Sequence, residues 1–336
     1  MALRLAFVGF RHAHITALYR LAQYLGDVEV VGACEEDAET RASLAGGAVS
    51  ITHDCYRTML RETDCDVVAC GDYYAVRGRR LLDALEAGKH VIGDKPLCAR
   101  LEELERIEVA ARARGLCVGC MLDLPDTAPF QRLRDVLREG AIGEVHTVSF
   151  AGQHPLFYGT RPNWYFEEGK HLGTLNDIAV HAVDIIPWLT GRRVAEITAA
   201  RAWNAKAGHA PFFQDAAQLM LRLDNGGGVL GDVSYLNPDS HGYVLPLYWR
   251  MGLHGTDGYV ETALNDPVVR LFRQGEAPSE VPVGEARSGG YFEDFQAELR
   301  GEPRLDGLHM ERIFESTRIA LKIQAAADSG VFPVVL

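Results

Sequence analysis

Apolar residues follow two different patterns along the first 120 residues. Short apolar runs, such as 3–8 and 67–70, alternate with longer segments, such as 15–25, in which apolar residues recur every three to four positions. Short runs of this kind are typical of buried strands, and the longer segments are typical of amphipathic helices. Their alternation predicts βαβ units that build a parallel, doubly wound sheet. Strands are predicted at residues 3–8, 28–34, 49–51, 67–70, 91–93 and 116–121, and helices at 15–25, 56–61, 76–87 and 101–114.

The pattern changes after residue 122, where helices become fewer and turn signals more frequent. Residues 224–227 (DNGG), for example, are typical of a hairpin turn. We therefore predict an α/β protein with an N-terminal Rossmann-type parallel sheet in residues 1–122. A C-terminal α+β domain with a large, mostly antiparallel open sheet is predicted for residues 123–336. Its strands are predicted at residues 145–151, 195–203, 217–223, 228–235, 245–252 and 259–262, and its helices at 130–139, 177–190, 291–299 and 308–327.

Composition narrows the class of protein. A length of 336 residues fits two domains of roughly 100–200 residues each. The net charge of -12 argues against nucleic acid or an anionic membrane surface as a partner. No apolar run approaches the roughly 18–20 residues of a membrane-spanning helix, and the N-terminus lacks a signal-peptide layout. The seven cysteines all lie within the first 120 residues, and their odd number predicts reduced, packed thiols. We expect a cytoplasmic protein.

Residues 9–14 (GFRHAH) form the turn after the first predicted strand, where a dinucleotide-binding fingerprint would lie. A complete GxGxxG would place glycines at 9, 11 and 14, and only the first is present. The following helix start still favours a phosphate group, because its N–H groups lack partners within the helix. An ordinary strand–helix turn is the alternative. No third ligand follows the two histidines at a telling spacing, so no metal site is predicted. The residues expected to contact the nucleotide here are Gly9, Phe10, Arg11 and His12.

Residues 34–37 (CEED) end the second predicted strand with an acidic cluster. An acidic side chain at this position can accept hydrogen bonds from the ribose hydroxyls of NAD and would repel the 2′-phosphate of NADP. Of the three acidic residues in this segment, Glu35 is the best placed for such a contact. We therefore expect NAD as cofactor rather than NADP. A solvated acidic turn is the alternative.

Two further segments carry residue types suited to proton transfer. Lys95 follows a predicted strand, at the sheet edge where parallel sheets bind ligands, and could stabilise a developing alkoxide. Asp177 and His181 are four residues apart on a predicted helix and so share one face. A histidine oriented by a carboxylate is typical of a general base. The alternatives are an exposed loop lysine, and a helix cap followed by a core histidine.

Residues 84–96 (ALEAGKHVIGDKP) resemble the ALEAGKHV-x-x-EKP segment of the glucose–fructose oxidoreductase/inositol dehydrogenase (Gfo/Idh/MocA) family of NAD(P)-dependent oxidoreductases, with Asp94 in place of glutamate. Residues 171–184 (HLGTLNDIAVHAVD) resemble the family's GG-x-x-x-D-x-x-x-H-x-x-D segment, with Leu172 in place of one glycine. Residues 140–145 (GAIGEV) resemble the family's entry into the second sheet. The resemblance covers nearly the whole chain.

The resemblance implies a role for each of the three residues. Lys95 would contact the substrate hydroxyl near the nicotinamide, and His181 would take the hydroxyl proton as hydride leaves the same carbon. Asp177 would help to position substrate and histidine. Residues 72–77 (DYYAVR) stand where the family usually has T-P-N-x-x-H, so that Asp72 and Tyr73 are expected to contact the cofactor. The family's open second sheet implies a homodimer or homotetramer.

The function implied is NAD-dependent hydride transfer between the nicotinamide and a secondary alcohol or ketone of a sugar, inositol or similar polyol. Two alternatives remain: redox-assisted glycoside cleavage or epimerisation with retained NAD, and a non-catalytic nucleotide- or sugar-sensing protein of the same fold. The residues expected to contact the small-molecule substrate are Lys95, Asp123, His154, Arg161, Trp164, Asp177 and His181.

Overall fold

A computed structural model describes residues 2–246, 248–287 and 289–336 of the chain. The chain forms two compact units, and neither is a single continuous segment. The boundary expected after Leu122 is one junction between the units, and two later stretches also belong to the first unit. The first unit consists of the residues up to Leu122 with Gly169–His171 and Tyr291–Thr317, and the second of Asp123–Glu168, Leu172–Gly290 and Arg318–Leu336.

The first unit contains a five-stranded parallel sheet in the order β2-β1-β3-β4-β5. This confirms the predicted N-terminal Rossmann-type sheet. All four residues of β3 are buried, because helices cover both faces of such a sheet and its strands become continuously apolar. The residues that follow β1 to β4 therefore lie along one sheet edge. The strands are Leu3–Val8 (β1), Val28–Cys34 (β2), Val67–Cys70 (β3), His90–Gly93 (β4) and Val118–Cys120 (β5).

Helices alternate with these strands, and the predicted segment 49–51 is a loop instead of a strand. Only an isolated parallel bridge from Cys34 to His53 forms near it. Helix α2 was not predicted, because none of its seven residues is buried and the sequence therefore lacks a periodic pattern of apolar residues there. The helices are Ile15–Tyr24 (α1), Ala38–Leu44 (α2), Tyr56–Glu62 (α3), Tyr74–Glu86 (α4) and Leu101–Arg114 (α5). All seven cysteines are free thiols.

Two glycines allow the close contacts around the first turn. A Cβ atom on Gly71 would overlap the side chain of Ile15, so that α1 packs directly against the end of β3. Gly71 thus supplies the close helix–sheet approach that the third fingerprint glycine usually permits. Gly9 has a φ of 74°, and a Cβ atom there would lie 2.6 Å from the Cβ of Asp72. Because Gly71 provides the space for α1, position 14 can be a histidine and the helix still packs closely against the sheet.

The second unit contains a nine-stranded sheet in the order β13-β12-β11-β10-β6-β9-β8-β7-β14. Every neighbouring pair is antiparallel except β6 and β9, which confirms the mostly antiparallel sheet. The predicted hairpin at residues 224–227 joins β8 to β9. The strands are Val145–Pro155 (β6), Val194–Trp203 (β7), Ala216–Leu223 (β8), Gly228–Asn237 (β9), Arg250–Gly255 (β10), Gly258–Thr262 (β11), Val268–Arg273 (β12), Ser279–Pro282 (β13) and Val334–Val335 (β14).

Burial alternates along β8 and β9, so one sheet face is packed and the other carries exposed apolar side chains such as Met220 and Leu230. Helix α6 packs against β11 and β12 and also contacts α7. Within the strand predicted at 245–252, residues 250–252 belong to β10, position 247 lies outside the described residues, and Trp249 has a φ of 50° that does not fit an extended strand. The helices of this unit are Ala128–Arg138 (α6) and Val180–Thr190 (α7). Two further helices are Gly290–Leu299 (α8), which belongs to the first unit from Tyr291 onwards, and Met310–Ser329 (α9), which belongs to the first unit up to Thr317 and to the second from Arg318. Within the three described segments, no helix has the length and apolar character needed to span a membrane.

We predict that Gly9→Ala destabilises the protein by roughly 2–5 kcal/mol, because the new Cβ adds a backbone clash to an unfavourable positive φ. Urea unfolding followed by circular dichroism measures the loss. Gly46→Ala is the matched control, since Gly46 has a φ of 76° with nothing within 4 Å of its added Cβ. That variant should lose only about 1–2 kcal/mol. Equal losses in the two variants would contradict the close packing of the turn.

Candidate active site

The turn after β1 is tied to the neighbouring strands by its main chain. The N–H of Gly9 donates to the carbonyl of Cys34 at 2.9 Å, and the N–H of His12 donates to that of Gly71 at 3.0 Å. Helix α1 follows with no side-chain cap and no acidic residue in its first turn, as far as the chain is described. The N–H groups of Thr16 and Ala17 donate to the carbonyls of Ala13 and His14 at 3.1 and 2.9 Å, so the start of α1 favours an anionic ligand such as a pyrophosphate chiefly through the positive end of its dipole.

Glu35 binds the turn after β1 through hydrogen bonds. Its carboxylate is fully buried, and one oxygen accepts a hydrogen bond from the N–H of Phe10 at 2.6 Å. The other oxygen accepts from the N–H of Asp37 at 2.8 Å and from Nε of Arg11 at 3.2 Å. These three donors belong to the protein itself. The ribose contact expected of Glu35 stays a prediction, and the carboxylate's role in this structure is to hold the turn to the end of β2.

Asp72 is the second buried carboxylate at this edge. Its oxygens lie 3.3 Å from Nε of Arg11 and 3.5 Å from Nε of Arg80, and Arg11 also lies over the ring of Tyr73 at 5.1 Å. Burial is the largest influence on Arg11 and lowers its pKa, but Asp72 and Glu35 together raise that pKa above the ordinary value. The expected cofactor residues Arg11, Asp72 and Tyr73 are thus brought together, with their charges paired.

Arg77 is fully buried and brackets Lys95. Its Nη1 donates to the carbonyls of Asp94 at 2.9 Å and Pro96 at 2.6 Å, on either side of the lysine. Its Nε and Nη2 donate to the carbonyl of Asp72 at 3.2 and 2.8 Å. Arg77 therefore joins the turn after β3 to the turn after β4. Lys95 itself is buried, with 3% of its surface exposed, which differs from the alternative of an exposed loop lysine.

Asp94 brings His12 and His14 together. Nδ1 of His12 hydrogen-bonds one oxygen of Asp94, and Nδ1 of His14 lies 3.5 Å from the other. Burial lowers the pKa of His12 to about 3, against the opposing effect of Asp94, so that a neutral imidazole donates to the carboxylate at neutral pH. The two histidines hold the pKa of Asp94 well below its usual range, although burial acts in the opposite direction.

The donor atoms of His12, His14 and Asp94 lie within 4.8 Å of one another, a grouping that the sequence spacing did not predict. Such a set has the chemistry of a metal site. The surroundings do not favour a cation, because Nη2 of Arg77 lies 3.9 Å from the same carboxylate and Lys95 acts on His12 as a nearby positive charge. The hydrogen-bonded arrangement accounts for these three side chains.

Asp177 and His181 lie in the second unit, at a change of helix type. Asp177 belongs to a π-helical turn, Leu175–Ala179, where a continuous α-helix was predicted. The side chain of Gln324 accepts a hydrogen bond from the N–H of Leu175 at 3.0 Å and so occupies main-chain donors at the start of this turn. Turns of this kind are frequent at functional sites. Asp177 and His181 are both buried.

Tyr235 is a partner of Asp177 that the sequence did not reveal. Its hydroxyl donates a short hydrogen bond to the carboxylate. Burial, followed by the charge of Asp177, raises the pKa of Tyr235 well above its ordinary value, which keeps the hydroxyl protonated and able to donate. The ring of His181 lies 5.6 Å from that of Trp249, edge to face. Tyr235 comes from β9, and the strand pattern alone gives no sign of such a contact.

Aromatic side chains surround the expected substrate residues His154 and Arg161. Nε2 of His154 lies 3.1 Å from the Tyr248 hydroxyl, and Arg161 lies between the rings of Tyr165 and Tyr235. Two further residues that were expected to contact the substrate have different surroundings. Trp164 is 5% exposed and stacks on Tyr165, with ring centroids 4.0 Å apart, and Asp123 is exposed at the surface.

Comparisons with known proteins agree with this architecture. Residues 3–121 match the oxidoreductase family with an NAD-binding Rossmann fold, and residues 130–261 match the GFO/IDH/MocA C-terminal domain. The chain is 25% identical over 248 residues to inositol 2-dehydrogenase 3 of Saccharopolyspora erythraea, covering 72% of this chain and 69% of that one. It is 24% identical over 256 residues to levoglucosan dehydrogenase of Pseudarthrobacter phenanthrenivorans, covering 69% and 64%.

Among solved structures, an inositol dehydrogenase homolog from Azotobacter vinelandii, complexed with NAD+, superposes with a TM-score of 0.83 at 18% identity. The match covers 100% of this chain and 98% of that one. At this identity, the similarity shows the fold.

We predict that Arg77→Met destabilises the protein by roughly 3–5 kcal/mol, because three buried main-chain carbonyls lose their donors. The unfolding midpoint in urea measures the change. Arg79→Met is the matched control on the same helix, since Arg79 is exposed and pairs only with Asp83 in the described chain. Its loss should stay below about 0.5 kcal/mol. A loss at Arg77 no larger than the one at Arg79 would show that the buried guanidinium does not hold the two turns.

Proposed function

Because the chain belongs to the Gfo/Idh/MocA family of NAD-binding oxidoreductases, we propose that it transfers hydride between NAD and a secondary alcohol or ketone of a sugar, inositol or similar polyol. The relatives named above, an inositol dehydrogenase and a levoglucosan dehydrogenase, act on molecules of this class by their names and support the proposal. The open face of the second sheet, with Met220 and Leu230 exposed, is consistent with a homodimer or homotetramer.

The observation that carries the proposal is the buried polar group formed by Asp177, Tyr235 and the nearby His181. Asp177 accepts the hydrogen bond of Tyr235, and His181 follows one turn later on the same helix. A buried carboxylate and a histidine in one such group are suited to accepting and holding a proton. We assign to His181 the removal of the hydroxyl proton, and to Asp177 the orientation of substrate and imidazole.

The first unit fits NAD in two respects. The start of α1 presents the positive end of its helix dipole to a pyrophosphate, and the positive φ of Gly9 allows the tight turn that precedes it. Gly9, Phe10, Arg11, His12, Asp72 and Tyr73 would hold the cofactor. When bound, NAD supplies the acceptor for the hydride. Glu35 adds buried negative charge beneath the turn, which favours NAD over the more negative NADP.

Lys95 is the residue of the first unit to which we assign contact with the reacting oxygen. Its ammonium group would donate a hydrogen bond to the substrate hydroxyl and stabilise the negative charge that develops there as the proton leaves. Arg77 fixes the main chain on both sides of this lysine, which limits the positions that its side chain can take. Such preorganisation is what charge stabilisation in a transition state requires.

We predict that Lys95→Met and His181→Asn each lower kcat/KM at least 100-fold for any polyol that the wild-type protein oxidises, because each removes a group that acts on the reacting hydroxyl. NADH affinity, measured by the fluorescence of the bound nicotinamide, should change less than about threefold. Lys322→Met and His146→Asn serve as controls, since both residues lie outside the proposed site and should leave kcat/KM within about twofold.

Three outcomes would oppose the proposal. Unchanged turnover in Lys95→Met and His181→Asn would refute the residue assignment. Absence of NADH binding would contradict the assignment of NAD as cofactor and would favour the nucleotide- or sugar-sensing alternative. NAD retained through purification, with substrate consumed and no net NADH formed, would favour glycoside cleavage or epimerisation.

A further inference from the structure

Arg161 brings a permanent positive charge into an aromatic environment of the second unit. Its guanidinium carbon lies 4.7 Å from the ring centroid of Tyr165 and 4.9 Å from that of Tyr235. Nη2 lies 3.3 Å from the hydroxyl of Tyr243. Burial is the largest influence on this guanidinium and lowers its pKa, but the three tyrosines together raise that pKa above the ordinary value. The group therefore stays charged at every accessible pH.

No carboxylate of the described chain lies within 4.0 Å of Arg161, which distinguishes it from the buried or half-buried arginines of the first unit. Arg11 pairs with Glu35, and Arg80 pairs with Glu36. Charges taken out of water are ordinarily compensated by an opposite charge, because the desolvation cost is otherwise large. Arg161 is half-buried, and tyrosine rings and main-chain carbonyls replace only part of the water that its guanidinium loses.

The donors of Arg161 are also incompletely used. A guanidinium has five N–H groups. Nε donates to the carbonyl of Leu156 at 2.9 Å, and Nη2 donates to that of Pro155 at 2.8 Å and to Tyr243. Nη1 makes no hydrogen bond with the residues that the structure describes, and it is not among their buried atoms without a partner. Two N–H groups of a charged donor thus remain for a ligand.

Tyr235 connects this donor to Asp177, the carboxylate proposed to orient the substrate. One face of its ring contacts Arg161, and its hydroxyl donates to Asp177. The ring of His154 lies 5.7 Å from that of Tyr235 and 5.6 Å from that of Tyr243, which adds a second polar side chain to the same surroundings. A ligand group bound by Nη1 of Arg161 would therefore lie within the reach of a small molecule that also contacts Asp177.

We propose that Arg161 binds a carboxylate of the substrate, so that the substrate is an acidic sugar or polyol, such as a uronate or an aldonate. The inference rests on the proposed function, since the carboxylate and the oxidised carbon belong to the same molecule. A monoanion matches the single uncompensated charge of Arg161.

The test compares acids with their neutral counterparts. Isothermal titration calorimetry on the full chain saturated with NADH would use D-glucuronate against D-glucose, D-galacturonate against D-galactose, and D-gluconate against D-sorbitol. We expect an acid to bind 10–100-fold more tightly than its partner, as charge-assisted hydrogen bonds provide. Arg161→Gln should remove this preference and change the affinity of the neutral partner less than threefold. Arg161→Lys should restore part of the preference.

Arg201→Gln is the matched control, because Arg201 also lies over an aromatic ring, that of Trp203 at 5.3 Å, but is exposed. It should keep the wild-type preference for acids. A panel in which no acid binds more tightly than its neutral partner would overturn the inference. So would an equal loss of acid and neutral binding in Arg161→Gln, since that is the result expected if Arg161 only anchors the loop at Pro155 and Leu156.

The two proposals fail in different ways. Oxidation of neutral polyols with no preference for acids would overturn the carboxylate site and leave the dehydrogenase activity standing. Acid binding that depends on Arg161, without formation of NADH from NAD, would leave the carboxylate site standing and refute the dehydrogenase activity.

Discussion

Arg77 carries a permanent charge into the interior of the first unit, where water cannot solvate it. Four hydrogen bonds to the carbonyls of Asp72, Asp94 and Pro96 replace that water. Because these carbonyls belong to the turns after β3 and β4, the hydrogen bonds that solvate the guanidinium also hold both turns in place. The position of Lys95 therefore depends on the main chain around it, and a change to that main chain would move the lysine even if the lysine itself were untouched.

The two units surround their half-buried arginines with different groups. In the first unit, Arg11 and Arg80 lie against the carboxylates of Glu35, Glu36 and Asp72, so that the sheet edge is close to internal neutrality. In the second unit, tyrosine rings surround Arg161 and no carboxylate of the described chain approaches it. An edge that is already neutral can receive a ligand through oriented N–H groups. A charge without a counter-ion instead favours a ligand that brings one.

Local sequence signals were sufficient to predict a parallel first sheet and a mostly antiparallel second sheet. They also singled out Lys95, Asp177 and His181 as candidates, because each lies in a short segment with its own pattern. They were insufficient for contacts between distant residues. Tyr235 meets Asp177 across 58 positions, and Asp94 meets His12 across 82. No periodicity connects such pairs. The π-helical turn at Leu175–Ala179 also contacts a distant side chain, Gln324, and the local sequence pattern gave no sign of either feature.

The first turn shows how a fingerprint with one glycine can remain compact. Gly71, immediately after the neighbouring strand β3, gives α1 the close approach that a glycine at position 14 would give, and Glu35 accepts a hydrogen bond from the N–H of Phe10. Arg11 occupies the position of the second glycine, but Glu35 and Asp72 neutralise much of its charge. We therefore expect Arg11 to contribute less to phosphate binding than the positive end of the α1 dipole. Loss of the glycines thus changes the side chains of the turn while preserving the helix terminus that a dinucleotide needs.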